Sequence, residues 1–462
     1  MERTTAKKNK YEIDMCNGTI MDKLISFSLP LMLSGILQLM FNAVDIIVVG
    51  RFSGSQALAA VGSTSALINV FTNLFIGISL GANVLTARFY AAGREKEVSE
   101  TVHTAITLAL VSGIVMALVG LVFSMGALAL MGTPDDVIGL SALYMRIYFL
   151  GMPFFMLYNY GAAILRAVGD TKRPLLFLVI AGVINACLNM VLVIVFKLGV
   201  AGVAIATVIS QMISCVLVLR CLCRSESSYR LRFSELGMKG YYLKQIFSVG
   251  VPAGIQSTVI NFSNVLLQSS VNSFGSTAMA GYTAANNLLG FLYVSVNSIT
   301  QACMSFTSQN YGVGKLKRMD RVLADCMILS VVVAVVLGCI CYGFGPEILQ
   351  IYTEDAEVIA CGMEILAYTT ITYFLCGWMD LFPGALRGMG YSAVPMVLSV
   401  IGTVGTRVVW IFGIFPYHRS LAILFISYPA SWIITIILQV VCFYFVRRRV
   451  HRRSQALAGQ EG

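Results

Sequence analysis

Ionisable side chains are scarce in this chain. Asp, Glu, Lys and Arg make up 12% of its 462 residues, against roughly 25% in soluble globular domains, while hydrophobic types make up 58%. With a mean hydropathy of +0.82, such a chain cannot clothe a water-facing surface, and the composition excludes an ordinary soluble domain. Histidine is rarer still. His103, His418 and His451 all fall at connections or in the tail, and no nucleophile-base motif, phosphate loop or metal-ligand set accompanies them, so we read no enzyme and no cofactor. The twelve cysteines are scattered, mostly through apolar runs (Cys187, Cys215, Cys303, Cys339, Cys376), where a thiol behaves as a small hydrophobe. They make no disulfide framework. The pairs Cys221/Cys223 and Cys339/Cys341 have no histidine nearby to complete a zinc site, so no metal is expected. A cleavable signal is also missing from the expectation: a basic tail (Arg3, Lys7, Lys8, Lys10) leads straight into a hydrophobic span too long to be a signal h-region.

Long apolar runs are abundant. Between Leu24 and Val446 we count about twelve, each long enough to cross a hydrocarbon core of about 30 Å: 24–48, 61–87, 104–130, 138–165, 174–196, 201–220, 245–271, 281–308, 323–345, 358–386, 394–415 and 421–446. The connections sort by charge. Both tails and the even-to-odd connections hold 27 of the 32 Lys/Arg residues, whereas the opposite connections hold Arg51, Lys197 and Arg419. By the positive-inside rule both termini are cytoplasmic, in a multi-pass protein of the cell's inner membrane. The net charge of +10 is therefore a matter of topology, and no nucleic-acid partner is expected. Arg146 and Arg407 remain within spans.

The chain also repeats itself. Leu29-Pro30 and Val251-Pro252 open spans 1 and 7 at a spacing of 222. After a one-residue deletion the spacing is 221: Gly54-Ser55-Gln56-Ala57-Leu58-Ala59 matches Gly275-Ser276-Thr277-Ala278-Met279-Ala280, and Leu165-Arg166, Gly169 and Pro174 match Leu386-Arg387, Gly390 and Pro395. Six spans separate the copies, so each half starts on the same side and the repeat is parallel, with its axis along the membrane normal. The expected fold is an all-α membrane protein with twelve transmembrane helices in two six-helix bundles. Its expected divisions are a tail 1–23, an N-lobe 24–222, a linker 223–243, a C-lobe 244–446 and a basic tail 447–462. A cleft between repeats is where such proteins place substrate and ion sites.

The order of several short motifs resembles the multidrug and toxic compound extrusion (MATE) transporters. They are Pro30 followed by Gln38 and Asp45; Val48-Val49-Gly50-Arg51 leading to Ala57-Leu58-Ala59-Ala60-Val61-Gly62; the Leu-Arg-x-x-Gly-x-x-x-x-Pro copies at Arg166 and Arg387; and Asn185-x-x-x-Asn189 followed by Ala204-Ile205-Ala206-Thr207. The resemblance runs from Leu24 to Val446. It implies a two-lobe bundle that exchanges protons or sodium for cationic or amphipathic organic compounds by alternating access. The alternative is a flippase or exporter of a lipid-linked or metabolite substrate from the same superfamily, for which further spans and a more cationic cavity would be expected. The expected partners are small organic substrates, H+ or Na+ and the lipid bilayer, with the chain acting as a monomer.

A carboxylate in apolar surroundings costs at least a few kcal/mol and marks a functional candidate. Asp45 is the leading one, towards the outer half of span 1, with Gln38 two helical turns earlier on the same face. The resemblance places Asp45 in a cation-coupling cluster with Asn185, Asn189 and Thr207. Because the position of Asn189 is commonly Asp in one branch of that family, this chain keeps a single acid there, which favours protonation of one carboxyl over sodium held by two. In span 10, Asp380 lies seven residues, roughly 10 Å of helix, from Arg387 and aligns with Asn159 at the repeat spacing. We expect Asp380 to pair with Arg407 of span 11, as a structural ion pair or as part of a binding site. Candidate substrate-wall residues are Tyr158, Asn159, Tyr282, Met304, Trp378 and Asp380, since methionine repacks and aromatic faces attract cations.

Overall fold

The computed structural model describes residues 11–458. It is built from twelve long helical segments: α1 (Met21–Phe52), α2 (Ser55–Ala91), α3 (Glu95–Leu130), α4 (Asp135–Leu150 and Met152–Ala167), α5 (Lys172–Asn189, continued by Met190–Val195), α6 (Gly199–Cys223), α7 (Gly240–Asn272), α8 (Ser276–Gly312), α9 (Leu316–Gly343), α10 (Ala356–Thr369 and Tyr373–Gly388), α11 (Ala393–Ile414) and α12 (Leu421–Ala458). Among the described residues, eight helices are long and apolar enough to cross a membrane, and α4 and α10 each qualify as one broken span. The other two, α7 and α8, are 33 and 37 residues long and carry more polar side chains. A bilayer core leaves backbone groups no water to bond, so every spanning piece must be helical.

The repeat is visible in the element boundaries. Met152–Ala167 and Tyr373–Gly388 are offset by 221 at both ends (373 − 152 and 388 − 167), as are Ser55–Ala91 and Ser276–Gly312. Gly54 (φ 89°) and Gly275 (φ 101°), also 221 apart, take equivalent left-handed turns before α2 and α8 that a Cβ would strain.

The sequence predicts α4 and α10 as unbroken spans, but they bend by 47° and 51° at matching places. In α4 the break at Gly151 is followed by Pro153, which lacks an N–H and suits the first turn of the new helix. In α10 threonines occupy the break: Thr372 donates its hydroxyl to Tyr368 O (2.8 Å), a carbonyl that the interrupted helix releases, and Thr370 adds its hydroxyl (2.6 Å) to its own N–H on Leu366 O. Short π-helical stretches interrupt α5 at Met190–Val195 and α11 at Val400–Gly405 and Trp410–Ile414.

The chain forms two compact units. Unit 1 contains Leu33–Gly254 with the segment ending at Ile13; unit 2 contains Asp14–Met32 and the chain from Ile255 onward. Both α1 and α7 thus change unit along their length, at Leu33 and Ile255, each three residues past its internal proline, Pro30 or Pro252.

Within unit 1, two Gly-x-x-x-Gly stretches meet: Gly77 and Gly81 of α2 lie against Ile246, Gly250 and Gly254 of α7, so closely that a Cβ on Gly77 would fall 2.3 Å from Gly254 Cα. Close backbone approach through small residues is the usual way lipid-embedded helices pack. At the end bearing the basic loops, Glu12 accepts hydrogen bonds from Tyr90 (2.8 Å) and Tyr229 (2.7 Å), and Ile13 N–H bonds Gly169 O at 3.4 Å. Burial pushes the Tyr229 phenol up, so it stays protonated and donates. Bonds to a charged acceptor contribute about 1.5–3 kcal/mol each. Glu12→Ala should therefore speed deuterium exchange at the Ile13 amide at least about tenfold; an unchanged rate would show that Glu12 does not tether this segment.

Within unit 2, polar side chains are buried and mutually satisfied. Thr403 and Thr435 hydroxyls bond at 3.0 Å, and the Gln439 amide donates to Pro395 O (2.7 Å) and Ser399 Oγ (2.9 Å).

Candidate functional site

In unit 1, α1 and α5 run side by side because Phe41 fills the notch at Gly182, where a Cβ would fall 1.8 Å from its ring. One turn beyond Phe41, Asp45 meets the polar face of α5. Asn189, fully buried, donates from Nδ2 both to Asp45 Oδ1 and to Asn185 Oδ1, the latter at 3.1 Å. Thr207 of α6 brings its hydroxyl to 3.5 Å from Asp45 Oδ2 and 3.0 Å from its own helix at Val203 O. Asp45, Asn185, Asn189 and Thr207 therefore form one cluster. Gln38, in contrast, is exposed and hydrogen-bonds no described residue. Sequence reading missed Tyr144 and Tyr148 of α4, which stack on each other (6.1 Å between centroids) within electrostatic reach of Asp45. Their spacing of four, one helical turn, was the available signal.

In unit 2 the expected Asp380–Arg407 ion pair is not formed. Arg407, 3% exposed, instead donates from Nη1 to Ser263 Oγ and Asn264 Oδ1, both at 2.7 Å, and lies under the Tyr428 ring, 4.8 Å from its centroid. Asp380 is half-buried and hydrogen-bonds no described residue; its electrostatic partner is Arg387, two turns along its own helix. A single helix places those two charges on one face without help from a neighbour. Arg387 in turn donates to Gln256 Oε1 at 2.6 Å.

The substrate-wall candidates divide between the units. In unit 1 the Tyr158 hydroxyl donates to Pro174 O (3.3 Å) and Asn159 to Phe155 O (2.8 Å). In unit 2 Tyr282 bonds Tyr428 hydroxyl to hydroxyl (2.8 Å), Trp378 Nε1 donates to Met327 O (3.2 Å), and Met304 is buried. Tyr293, 45% exposed, lies within electrostatic reach of Asp380.

A twice-repeated set of six membrane-length helices, each copy with a charged polar cluster inside it, defines a multi-pass membrane transporter. The chain belongs to the MatE family, whose profile matches it twice, over residues 30–191 and 252–412. It is 32% identical over 434 residues to the probable multidrug resistance protein YoeA of Bacillus subtilis, covering 92% of this chain and 93% of that one. It is 22% identical to the multidrug export protein MepA of Staphylococcus aureus, covering 82% and 84%. Its fold matches the outward-facing structure of a multidrug resistance MATE family transporter of the MOP superfamily with a TM-score of 0.87, at 19% identity over 97% of this chain and 100% of that one.

Proposed function

We propose that this protein is a proton-coupled antiporter that exports small cationic or amphipathic organic compounds across the cell membrane by alternating access, with Asp45 as the coupling group. One observation carries the choice of ion. The Thr207 hydroxyl has one hydrogen and two oxygens in reach, Val203 O at 3.0 Å and Asp45 Oδ2 at 3.5 Å. When the hydrogen is committed to the nearer carbonyl, the Thr207 oxygen turns a lone pair towards Oδ2, an arrangement favourable only if Oδ2 carries a proton of its own. Asn189 also directs an N–H, not its oxygen, at Asp45. A donor suits a carboxyl group and repels a metal cation, so the cluster supports a proton over sodium.

The names of the relatives, multidrug resistance and multidrug export, support the substrate class. The basic loops support an orientation with both termini in the cytoplasm. Dye efflux from cells expressing the protein tests the reading. A protonophore should stop efflux and removal of sodium should leave it intact. Efflux that runs on a sodium gradient alone would overturn the proton assignment, and efflux indifferent to both gradients would overturn coupled transport.

A further inference from the structure

The buried polar cluster of unit 2 carries the opposite charge to that of unit 1. At the 221 spacing Thr207 corresponds to Tyr428, and Asn185 to Thr406, the residue before Arg407. Where unit 1 places a carboxyl group between α1, α5 and α6, unit 2 places a guanidinium between α7, α11 and α12. Arginine keeps its charge in proteins, and a buried cation without a counter-charge is costly.

The partners of Arg407 are all neutral: Ser263, Asn264 and the Tyr428 ring. They also occupy only part of it. Nη1 holds both side-chain acceptors, whereas Nε is fully buried with no hydrogen-bond partner, and Nη2 donates to no acceptor among the described residues. Nε–H and Nη2–H form the side-on edge of a guanidinium, two parallel donors with the spacing of a carboxylate's two oxygens. Asp380 does not supply that carboxylate, since its electrostatic partner is Arg387.

We infer that unit 2 holds a carboxylate-binding site, in which the free Nε/Nη2 edge of Arg407 receives the two oxygens of a carboxylate brought by a ligand, while Ser263 and Asn264 hold the guanidinium in place. The ligand is a small organic carboxylate, free or as the acid group of a larger transported compound. The site goes beyond the coupling assigned to Asp45 and does not depend on it.

The test uses the purified full-length protein in detergent, with no ion gradient. Acetate, exchanged at constant ionic strength for the bulky sulfonate of the buffer, should raise the melting temperature saturably by about 2–4 °C. Acetamide, its uncharged counterpart, should not. The shift should persist in Asp45→Asn, which separates this inference from the proposed transport mechanism. Arg407→Gln should abolish it, and Arg407→Lys, which keeps the charge but not the fork, should weaken acetate binding at least about tenfold. Should Arg407→Gln not fold, Asn264→Asp sets a competing negative charge against Nη1 and should weaken acetate binding at least about tenfold while raising the melting temperature. Benzoate binding in competition with acetate would assign the site to the acid group of larger compounds; a response confined to acetate and formate would assign it to free small carboxylates. Equal shifts with acetate and acetamide, an acetate shift retained in Arg407→Gln, or wild-type acetate affinity in Asn264→Asp would overturn the site.

Discussion

Asp45→Asn should abolish energised efflux and leave the protein folded. The substitution keeps the size and planar shape of the side chain. Its amide oxygen can still accept from Asn189, and its NH2 can donate to the Thr207 oxygen in place of a carboxyl proton. What disappears is the capacity to gain and lose a charge within the bilayer. Coupling free energies of about 1–3 kcal/mol correspond to roughly 5–150-fold in affinity, so the loss of active dye efflux should be at least about fivefold. Substrate should still protect the variant against thermal unfolding, because binding does not require the proton cycle. Wild-type efflux at every pH in Asp45→Asn would end the coupling role of this residue. Unit 1 would then hold a purely structural acid, set between Asn189 and Thr207.

Gly81→Val is expected to be the most damaging of the packing substitutions. A Cβ there would lie 2.2 Å from Ile246 O, and on Gly250 it would lie 2.4 Å from Ile78 Cα. The obstacle is backbone in both cases and cannot rotate away, so α2 and α7 must separate along the whole crossing. Overpacking of this kind costs about 1–3 kcal/mol, and more where the backbone is the obstacle. A branched side chain adds further bulk, and the melting temperature in detergent should fall by several degrees or the protein should fail to accumulate. Gly126→Ala is the internal control. Nothing lies within 4 Å of a Cβ at that position of α3, so exchanging a helical glycine there should be neutral or slightly stabilising. Equal effects of the two substitutions would mean that the glycine crossing is not what holds α2 against α7.

The repeat shows how far patterns along one chain can be read. Its spacing of 221 follows from matched residues alone, and the structure reproduces it in the ends of α2 and α8 and in the paired breaks of α4 and α10. The breaks themselves were not legible. Hydropathy stays high through Gly151 and through Thr370, and a threonine that caps a released carbonyl looks like any other polar residue in a span. Asp45 stood out by itself as an acid in an apolar run, but its neighbours Asn189 and Thr207 were reached through resemblance, because they lie 144 and 162 residues away. Arg407 was misassigned for a related reason. Its depth in α11 could be matched to Asp380 in α10, whereas the direction in which it points, towards Ser263 and Asn264 of α7, could not.

Composition and periodicity by themselves determined that the bilayer is this protein's solvent, that about twelve helices cross it, and that the two halves descend from one plan. Those properties depend on burial and charge summed along a single segment, and a sequence records both directly. Only the tertiary structure decided which polar groups meet, because that depends on how each helix is rotated and how closely its neighbours approach. Here the rotation and approach are set by notches such as Gly182 beneath Phe41 and Gly77 against Gly254, where the fit of one surface into another, and not hydrophobicity, chooses the contact.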